Sequence, residues 1–140
     1  MPVLTLKLSP PASAEVHARL AEALTAITAS LLGKRPEVTA VVIDAVPADR
    51  WYIHSQAAAP TALLEISITA GTNTPAEKET FIRTAFDELQ LQLGGGVPLA
   101  EASYVVVREL PASDWGYGGR TQRARKLATG GPMVMASQPK

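Results

Sequence analysis

Apolar residues repeat with two different periods along this chain, and the order of those periods predicts its elements. Leu4, Leu6 and Leu8 alternate with polar or smaller residues, as one face of a half-buried strand does. From Leu20 onward the spacing changes to three and four, which marks one face of an amphipathic helix. The same order occurs twice. The predicted elements are a strand at 2–8, a helix at 13–32, a strand at 38–46, a strand at 62–69, a helix at 75–93 and a strand at 102–110.

The two strand–helix–strand runs are copies of one unit. The segment Val41–Trp51 recurs at an offset of 64 as Val105–Trp115, with an apolar run, a Pro-Ala turn and a Trp in both copies. For the first strand and the helix, an offset of 62 aligns the apolar positions and makes Leu64 the counterpart of Pro2. Repeat one then spans 2–55 and repeat two spans 62–119.

The boundaries of the units predict how they fold together. Ser13 and Thr74 are predicted helix N-caps, and Gly33 and the run Gly94–Gly96 end the helices. A right-handed crossover makes the two strands of each unit parallel. We expect a single α/β (α+β) domain over 1–140, in which two tandem βαβ units form a four-stranded sheet with both helices on one face. The bare sheet face predicts an oligomer, and 120–140 are expected to form a C-terminal tail.

Composition and charge exclude several classes of function. Thirteen basic and thirteen acidic residues give no net charge, so a nucleic-acid partner is not expected. Cysteine is absent, and two histidines with no carboxylate at ligand spacing do not make a metal site. The N-terminus lacks a signal-peptide pattern and no apolar run is long enough to cross a bilayer. A cytoplasmic protein with no membrane partner is therefore expected.

Two features of the chain resemble one known family. Pro2 directly follows Met1 at the start of a short βαβ unit, and Asp114–Gly119 places an aromatic residue before Gly-Tyr-Gly-Gly just after a strand. Together they resemble the 4-oxalocrotonate tautomerase family of the tautomerase superfamily, and the tandem units resemble its fused members. The resemblance implies a tautomerase/MIF-like fold, a homotrimer of two-unit chains and a site built around Pro2.

The resemblance assigns the chemistry to the amine of Pro2, which is free once Met1 is removed. An α-amino group titrates at about 7.7–8.0 in reference peptides, and an apolar pocket disfavours its charged form. The neutral amine would act as general base and acid in the enol–keto or double-bond isomerisation of a small 2-oxo acid. No cofactor or metal is implied. The competing interpretation is that Pro2 only permits removal of Met1.

The resemblance also implies substrate-binding residues, and these are Leu8, Trp51, Ile53, Trp115, Tyr117 and Arg108. The two Trp side chains match the family's pocket aromatic, and Leu8, Ile53 and Tyr117 would add apolar wall. Tyr117 would alternatively donate to an enolate oxygen or serve the hairpin alone. Single-unit members hold a dicarboxylate with two arginines that this chain lacks. The corresponding positions here are Ala12, Ala40, Thr72 or Thr74, and Tyr104. Lys7 or Arg108 would replace the missing cations, or both are ordinary surface charges.

Two other functions stay open on the sequence. A non-catalytic trimeric protein would keep the fold as a small-ligand-binding module or scaffold. Retained Met1 would favour that function, because the Pro2 nitrogen would then be an amide. A two-unit ferredoxin-like sensor would bind its ligand at the sheet edge without Pro2. A dehalogenase or hydratase is not expected, since no residue near Trp115 is placed to activate water.

Overall fold

A computed structural model describes residues 2–130, and it contains two βαβ units that are each followed by a short hairpin. The first unit and its hairpin consist of β1 (Val3–Ser9), α1 (Ala14–Leu32), β2 (Ala40–Ala45), β3 (Tyr52–Ile53) and β4 (Gln56–Ala57). The second unit and its hairpin consist of β5 (Thr61–Thr69), α2 (Pro75–Leu93), β6 (Tyr104–Leu110), β7 (Gly116–Tyr117) and β8 (Arg120–Thr121). A third helix, α3 (Gln122–Gly130), follows the second hairpin.

The four long strands form one mixed sheet in the order β2-β1-β5-β6. β1 is parallel to β2, β5 is parallel to β6, and the two units meet antiparallel along β1 and β5. The predicted fold class, two βαβ units in a four-stranded sheet with two helices on one face, is confirmed. The fully buried core between sheet and helices includes Leu4, Leu6, Leu8, Leu20, Leu24, Leu64, Ile66, Ile68, Phe81 and Leu89.

Side-chain caps set the N-termini of both long helices, and a glycine ends α1. The hydroxyl of Ser13 accepts from the N–H of Val16 at 3.2 Å, which satisfies one of the unpaired donors of the first turn of α1. α2 begins with a capping box: Thr74 accepts from the N–H of Glu77 at 3.1 Å, and the Glu77 carboxylate accepts from the N–H of Thr74 at 2.9 Å. α1 ends at Gly33, whose φ of 70° is the left-handed conformation that glycine adopts freely.

The structure changes the helix alignment of the two repeats. The N-caps Ser13 and Thr74 are related by an offset of 61, and the same offset relates the buried residues Leu20 and Phe81. The expected helix offset of 62 is therefore too long by one position. The offset of 64 between β2 and β6 is confirmed. The strands begin at Ala40 and Tyr104, and the residues that follow, Val41 and Val105, both pack against the core.

The register of the sheet also identifies the counterpart of Pro2. Val3 pairs with the first residue of β2, and Leu63 pairs with the first residue of β6, so β1 and β5 are related by an offset of 60. The counterpart of Pro2 is Ala62, and the expected Leu64 is corrected. Offsets of 60 and 62 preserve the same in–out alternation, so the sequence pattern does not distinguish them.

Residues 120–130 of the expected tail form a strand and a helix. Arg120–Thr121 forms β8, and α3 continues from it to Gly130. Residues 131–140 of the expected tail lie outside the described residues. No helix within 2–130 is long and apolar enough to cross a membrane.

Candidate active site

Pro2 is buried at the start of β1. Its carbonyl accepts from the N–H of Ala40 at 3.3 Å, so it extends the pairing of β1 with β2 by one residue. By alternation Pro2 shares a face with Leu4 and Leu6, which is the face covered by the helices. We call this part of the molecule the Pro2 end of the sheet: the N-terminal ends of β1 and β2 and the C-terminal ends of β5 and β6.

A buried cation lies at the Pro2 end. Lys34 follows the last residues of α1, only 4% of it is exposed, and its Nζ donates to Thr72 Oγ1 at 2.8 Å. Thr72 in turn donates to the carbonyl of Thr69, the last residue of β5, at 2.7 Å. The sequence does not indicate that Lys34 is buried, because a single lysine after a helix-ending glycine has the pattern of an exposed loop residue. Its bond to Thr72, in the loop before α2, joins residues 38 positions apart in the chain.

An acidic side chain of the same region has a perturbed titration. The Glu77 carboxylate accepts from the backbone N–H of Thr74 and, at 3.0 Å, from the side-chain amide of Asn73. The backbone hydrogen bond is the larger cause, and together they hold the pKa of Glu77 below its ordinary value of 4.5. Lys34 acts in the same direction through its charge. Glu77 is therefore a structural carboxylate and not a candidate proton donor at neutral pH.

The second hairpin also lies at the Pro2 end, because it follows the C-terminus of β6. Arg125 of α3 covers the ring of Tyr117, with its guanidinium carbon 3.9 Å from the ring centre. Its Nε and Nη2 donate to the Tyr117 carbonyl at 3.2 and 2.9 Å. The indole Nε1 of Trp115 is buried with no hydrogen-bond partner among residues 2–130. Tyr117 is thus fixed by Arg125, a contact that no spacing in the sequence indicates.

Trp51 and Ile53 lie at the opposite end of the sheet, where they line a cavity of about 600 Å³. Lys7 and Arg50 bring two cations to its wall, and no carboxylate lines it within the described chain. The other lining residues are Val46, Tyr52, Leu63, Ala102 and Tyr104. The cavity has the size of ordinary small-molecule sites and combines apolar wall with positive charge.

Two predicted binding residues have other surroundings. Leu8 is fully buried in the core beneath the helices, so its side chain does not form a wall that a substrate reaches. Alternation along β1 points Leu8 to the covered face, whereas Lys7 points to the open one. Arg108 lies on the open face of the sheet, where its Nη2 is 2.9 Å from Glu65 Oε2. An ion pair within the chain therefore already engages the guanidinium.

The predicted site residues fall into two groups within one chain. Pro2, Trp115 and Tyr117 belong to one end of the sheet, and Trp51 and Ile53 belong to the other. The length of β1 separates the ends by about 20 Å at roughly 3.3 Å per residue. Only a neighbouring chain could bring the two groups together. No cluster of three or more metal-binding side chains occurs in the described range 2–130.

The family model described as Tautomerase enzyme matches residues 2–58, which is the first unit with its hairpin. No curated protein matches the sequence significantly.

Solved structures share the fold over both units. A fused 4-OT wild-type asymmetric trimer is 23% identical with a TM-score of 0.76, covering 88% of this chain and 98% of its own. A protein captured after inactivation by 2-oxo-3-pentynoate is 18% identical with a TM-score of 0.77, at the same coverage of 88% and 98%. A macrophage migration inhibitory factor-like protein from Entamoeba histolytica is 19% identical with a TM-score of 0.68, covering 86% and 97%. The Tautomerase enzyme model thus matches the first unit of this chain, and solved structures that include a fused 4-OT share the fold of both units.

Proposed function

We propose that this protein is a cofactor-independent tautomerase in which the amine of Pro2 moves a proton during enol–keto or double-bond isomerisation of a small 2-oxo acid. The observation that carries the proposal is the position of Pro2, buried at the start of β1 in a chain with the tautomerase fold. Burial disfavours the charged form of the amine, so a neutral base is available near pH 7.

The proposed proton transfer is balanced within the substrate. The Pro2 nitrogen takes the proton of the enol hydroxyl, and the electron pair left on the oxygen forms the carbonyl double bond. The electron pair of the C=C bond then takes a proton from the nitrogen and forms the new C–H bond at the adjacent carbon. The amine ends in its starting state, so no second reactant is consumed. The proline ring limits the orientations of the nitrogen and helps to aim its lone pair.

We further propose that the protein works as a homotrimer whose site includes residues of a neighbouring chain. The open face of the sheet carries exposed apolar side chains: Val42 is 54% exposed and Tyr104 is 63% exposed. Exposed apolar patches of this kind mark interaction surfaces. A neighbouring chain on this face would place a second set of hairpins and cations near each Pro2. The trimeric state of the similar fused 4-OT structure supports this assembly.

The first test compares the wild type with Pro2→Ala in the ketonisation of phenylenolpyruvate from pH 5 to 9. Loss of a general base should lower the rate at least about 100-fold, and the wild-type rate should rise as the amine loses its proton. Pro11→Ala is the matched control, because Pro11 is an exposed proline that follows β1. Intact mass establishes that Met1 is absent. Equal rates for wild type and Pro2→Ala would overturn the proposal.

A second test uses 2-oxo-3-pentynoate, the compound that inactivates one of the similar proteins. A nucleophilic neutral amine at Pro2 should become covalently labelled, and peptide mass spectrometry should find the added mass on the N-terminal peptide. Labelling confined to lysines would contradict a reactive Pro2.

A second candidate function rests on the cavity at Trp51, which combines Lys7 and Arg50 with aromatic wall and excludes Pro2. These features favour a module that binds an aromatic carboxylate without converting it. Calorimetry with phenylpyruvate distinguishes the two functions. The binding module would be favoured if the wild type is inactive, Pro2→Ala still binds phenylpyruvate, and Lys7→Gln does not bind it.

A further inference from the structure

We propose that Thr39 is a positioning residue for the Pro2 amine: its hydroxyl accepts the N–H of Pro2 and thereby aims the nitrogen lone pair. The proposal rests on the proposed function of Pro2 and deepens it. The proposal comes from the internal duplication of the chain. In the second unit, the residues equivalent to Pro2 and Thr39 are Ala62 and Ser103, and the Ala62 nitrogen is hydrogen-bonded to the Ser103 hydroxyl.

Thr39 and Ser103 occupy equivalent positions. Each precedes the first residue of the outer strand of its unit, and they are related by the offset of 64 that also relates β2 to β6. Each also closes the same turn. The N–H of Thr39 donates to the carbonyl of Pro36 at 3.2 Å, and the N–H of Ser103 donates to the carbonyl of Ala100 at 3.0 Å. Pro36 and Ala100 are related by the same offset.

The second unit shows what a hydroxyl at this position does. The N–H of Ala62, the counterpart of Pro2, donates to Ser103 Oγ at 3.1 Å. Ser103 is buried, and its hydroxyl lies 3.2 Å from that of Thr61. In the second unit, therefore, the Ser103 hydroxyl, just before β6, accepts the N–H of Ala62 near the start of β5 in place of a backbone carbonyl.

The orientation of Pro2 matches this arrangement. Within a β-strand the nitrogen and the carbonyl oxygen of one residue point to the same side. The Pro2 carbonyl accepts from Ala40 of β2, so the Pro2 nitrogen also points toward β2. The register that pairs Val3 with Ala40 places Thr39 beside Pro2. Thr39 alternates with Ala40, so its side chain is on the covered face of the sheet with Pro2.

The hydroxyl of Thr39 is set to accept rather than to donate. Its hydrogen is donated to the carbonyl of Arg35 at 2.7 Å, which leaves the oxygen lone pairs for another donor. In the neutral amine this contact binds the one N–H and directs the lone pair away from β2. In the protonated amine it stabilises the charge. Removing the hydroxyl should therefore favour the neutral form at lower pH and weaken the alignment of the base.

Other charged groups at the Pro2 end stay unchanged in the test. They include Lys34 and the Arg35–Glu37 ion pair, whose Nε and Oε1 are 3.8 Å apart, in the segment after α1. They also include the carboxylate of Glu77, Arg125 beside the second hairpin, and the Lys78–Glu109 ion pair between α2 and β6, whose Nζ and Oε2 are 3.1 Å apart. Because Thr39→Val alters none of these charges, a shift in the titration of Pro2 in that variant reports the hydroxyl.

The experiment compares Thr39→Val with Thr39→Ser, which restores the hydroxyl, and with Ser103→Ala, which removes the equivalent hydroxyl from the second unit. The readouts are the pH dependence of kcat/KM for phenylenolpyruvate and an NMR titration of the ¹⁵N-labelled Pro2 nitrogen. Thr39→Val should move both titrations down by about one pH unit, the size expected for loss of a hydrogen bond to a charged donor. It should also lower the limiting kcat about 10-fold through lost alignment.

Thr39→Ser and Ser103→Ala should keep the wild-type titration, even if Ser103→Ala unfolds at lower temperature. An unshifted amine titration in Thr39→Val overturns the positioning role, whatever its activity. If Pro2→Ala is inactive in that case, the proposed function survives and only the inference about Thr39 fails. If Pro2→Ala is as active as the wild type, the proposed function fails, and the NMR titration still decides whether Thr39 bonds the amine.

Discussion

At the scale of single residues, the Pro2 end of the sheet is held by polar side chains with specific partners. Thr72 links Lys34 to the last residue of β5 through two hydrogen bonds. The side-chain amide of Asn73 donates to the carbonyl of Leu32 at 3.0 Å and so satisfies one of the open acceptors at the C-terminus of α1. Polar groups removed from water need such partners, so this region should be sensitive to small changes.

The carboxylate of Glu77 should make stability depend on pH. Its pKa is below the ordinary value because hydrogen bonds favour the charged form, so its stabilising contribution is present at neutral pH and is lost as pH falls through the lowered pKa. Glu77→Gln should therefore reduce the free energy of unfolding at pH 7, and the difference from wild type should shrink in acid. Urea denaturation at pH 7 and pH 3 measures this, with the exposed Glu79→Gln as control. A constant difference at both pH values would contradict the assignment.

At the scale of elements, caps decide where α2 begins. Thr74 supplies both halves of the capping box, its hydroxyl as acceptor and its N–H as donor to Glu77. Thr74→Ala should lower the free energy of unfolding by about 1 kcal/mol, the usual effect of losing an N-cap hydroxyl. Ser30→Ala, at an exposed position of α1, should be close to neutral. An equal effect of the two substitutions would mean that the cap contributes nothing of its own.

The two hairpins occupy equivalent positions with different turn chemistry. Gly118 and Gly119 have φ of 63° and 79°, and the equivalent His54 and Ser55 have φ of 54° and 65°. Glycine adopts this conformation without strain, whereas residues with a Cβ do so at some cost. In the second hairpin, a side chain at Gly116 would also overlap the carbonyl of Arg120. The backbone geometry of the second hairpin therefore explains its glycines, Gly116, Gly118 and Gly119.

Arg125 should hold α3 against the second hairpin. Its guanidinium stacks on Tyr117 and bonds the carbonyl of the same residue, so Arg125→Ala removes both contacts. Amide hydrogen exchange in α3 should become about 10-fold faster, because local opening costs less free energy. Arg123→Ala, at an exposed position of the same helix, is the control. Unchanged exchange in Arg125→Ala would show that other contacts hold α3.

At the scale of the whole molecule, the bare face of the sheet is the feature most open to test. Val42→Lys places a charge on the open face, in the middle of the edge strand β2, and should dissociate the proposed trimer. Sedimentation equilibrium should then find the mass of one 14.8 kDa chain in place of three. Leu91→Lys is the matched control, because Leu91 is an exposed apolar residue, 74% accessible, on α2. A Val42→Lys protein that remains trimeric would place the interface elsewhere.

The sequence by itself determined what depends on local pattern. Spacing and residue type predict the two βαβ units, the helix caps at Ser13 and Thr74, and the repeat that relates Trp51 to Trp115. These features can be predicted because they depend on residues that are close together in the chain. The resemblance to the 4-oxalocrotonate tautomerase family made Pro2 the candidate base. Only the tertiary structure decided that Ala62 is the counterpart of Pro2, that Trp51 and Trp115 lie at opposite ends of the sheet, and that Arg125 covers Tyr117. These depend on strand register and on contacts between residues distant in the chain, which alternation along a single strand does not encode.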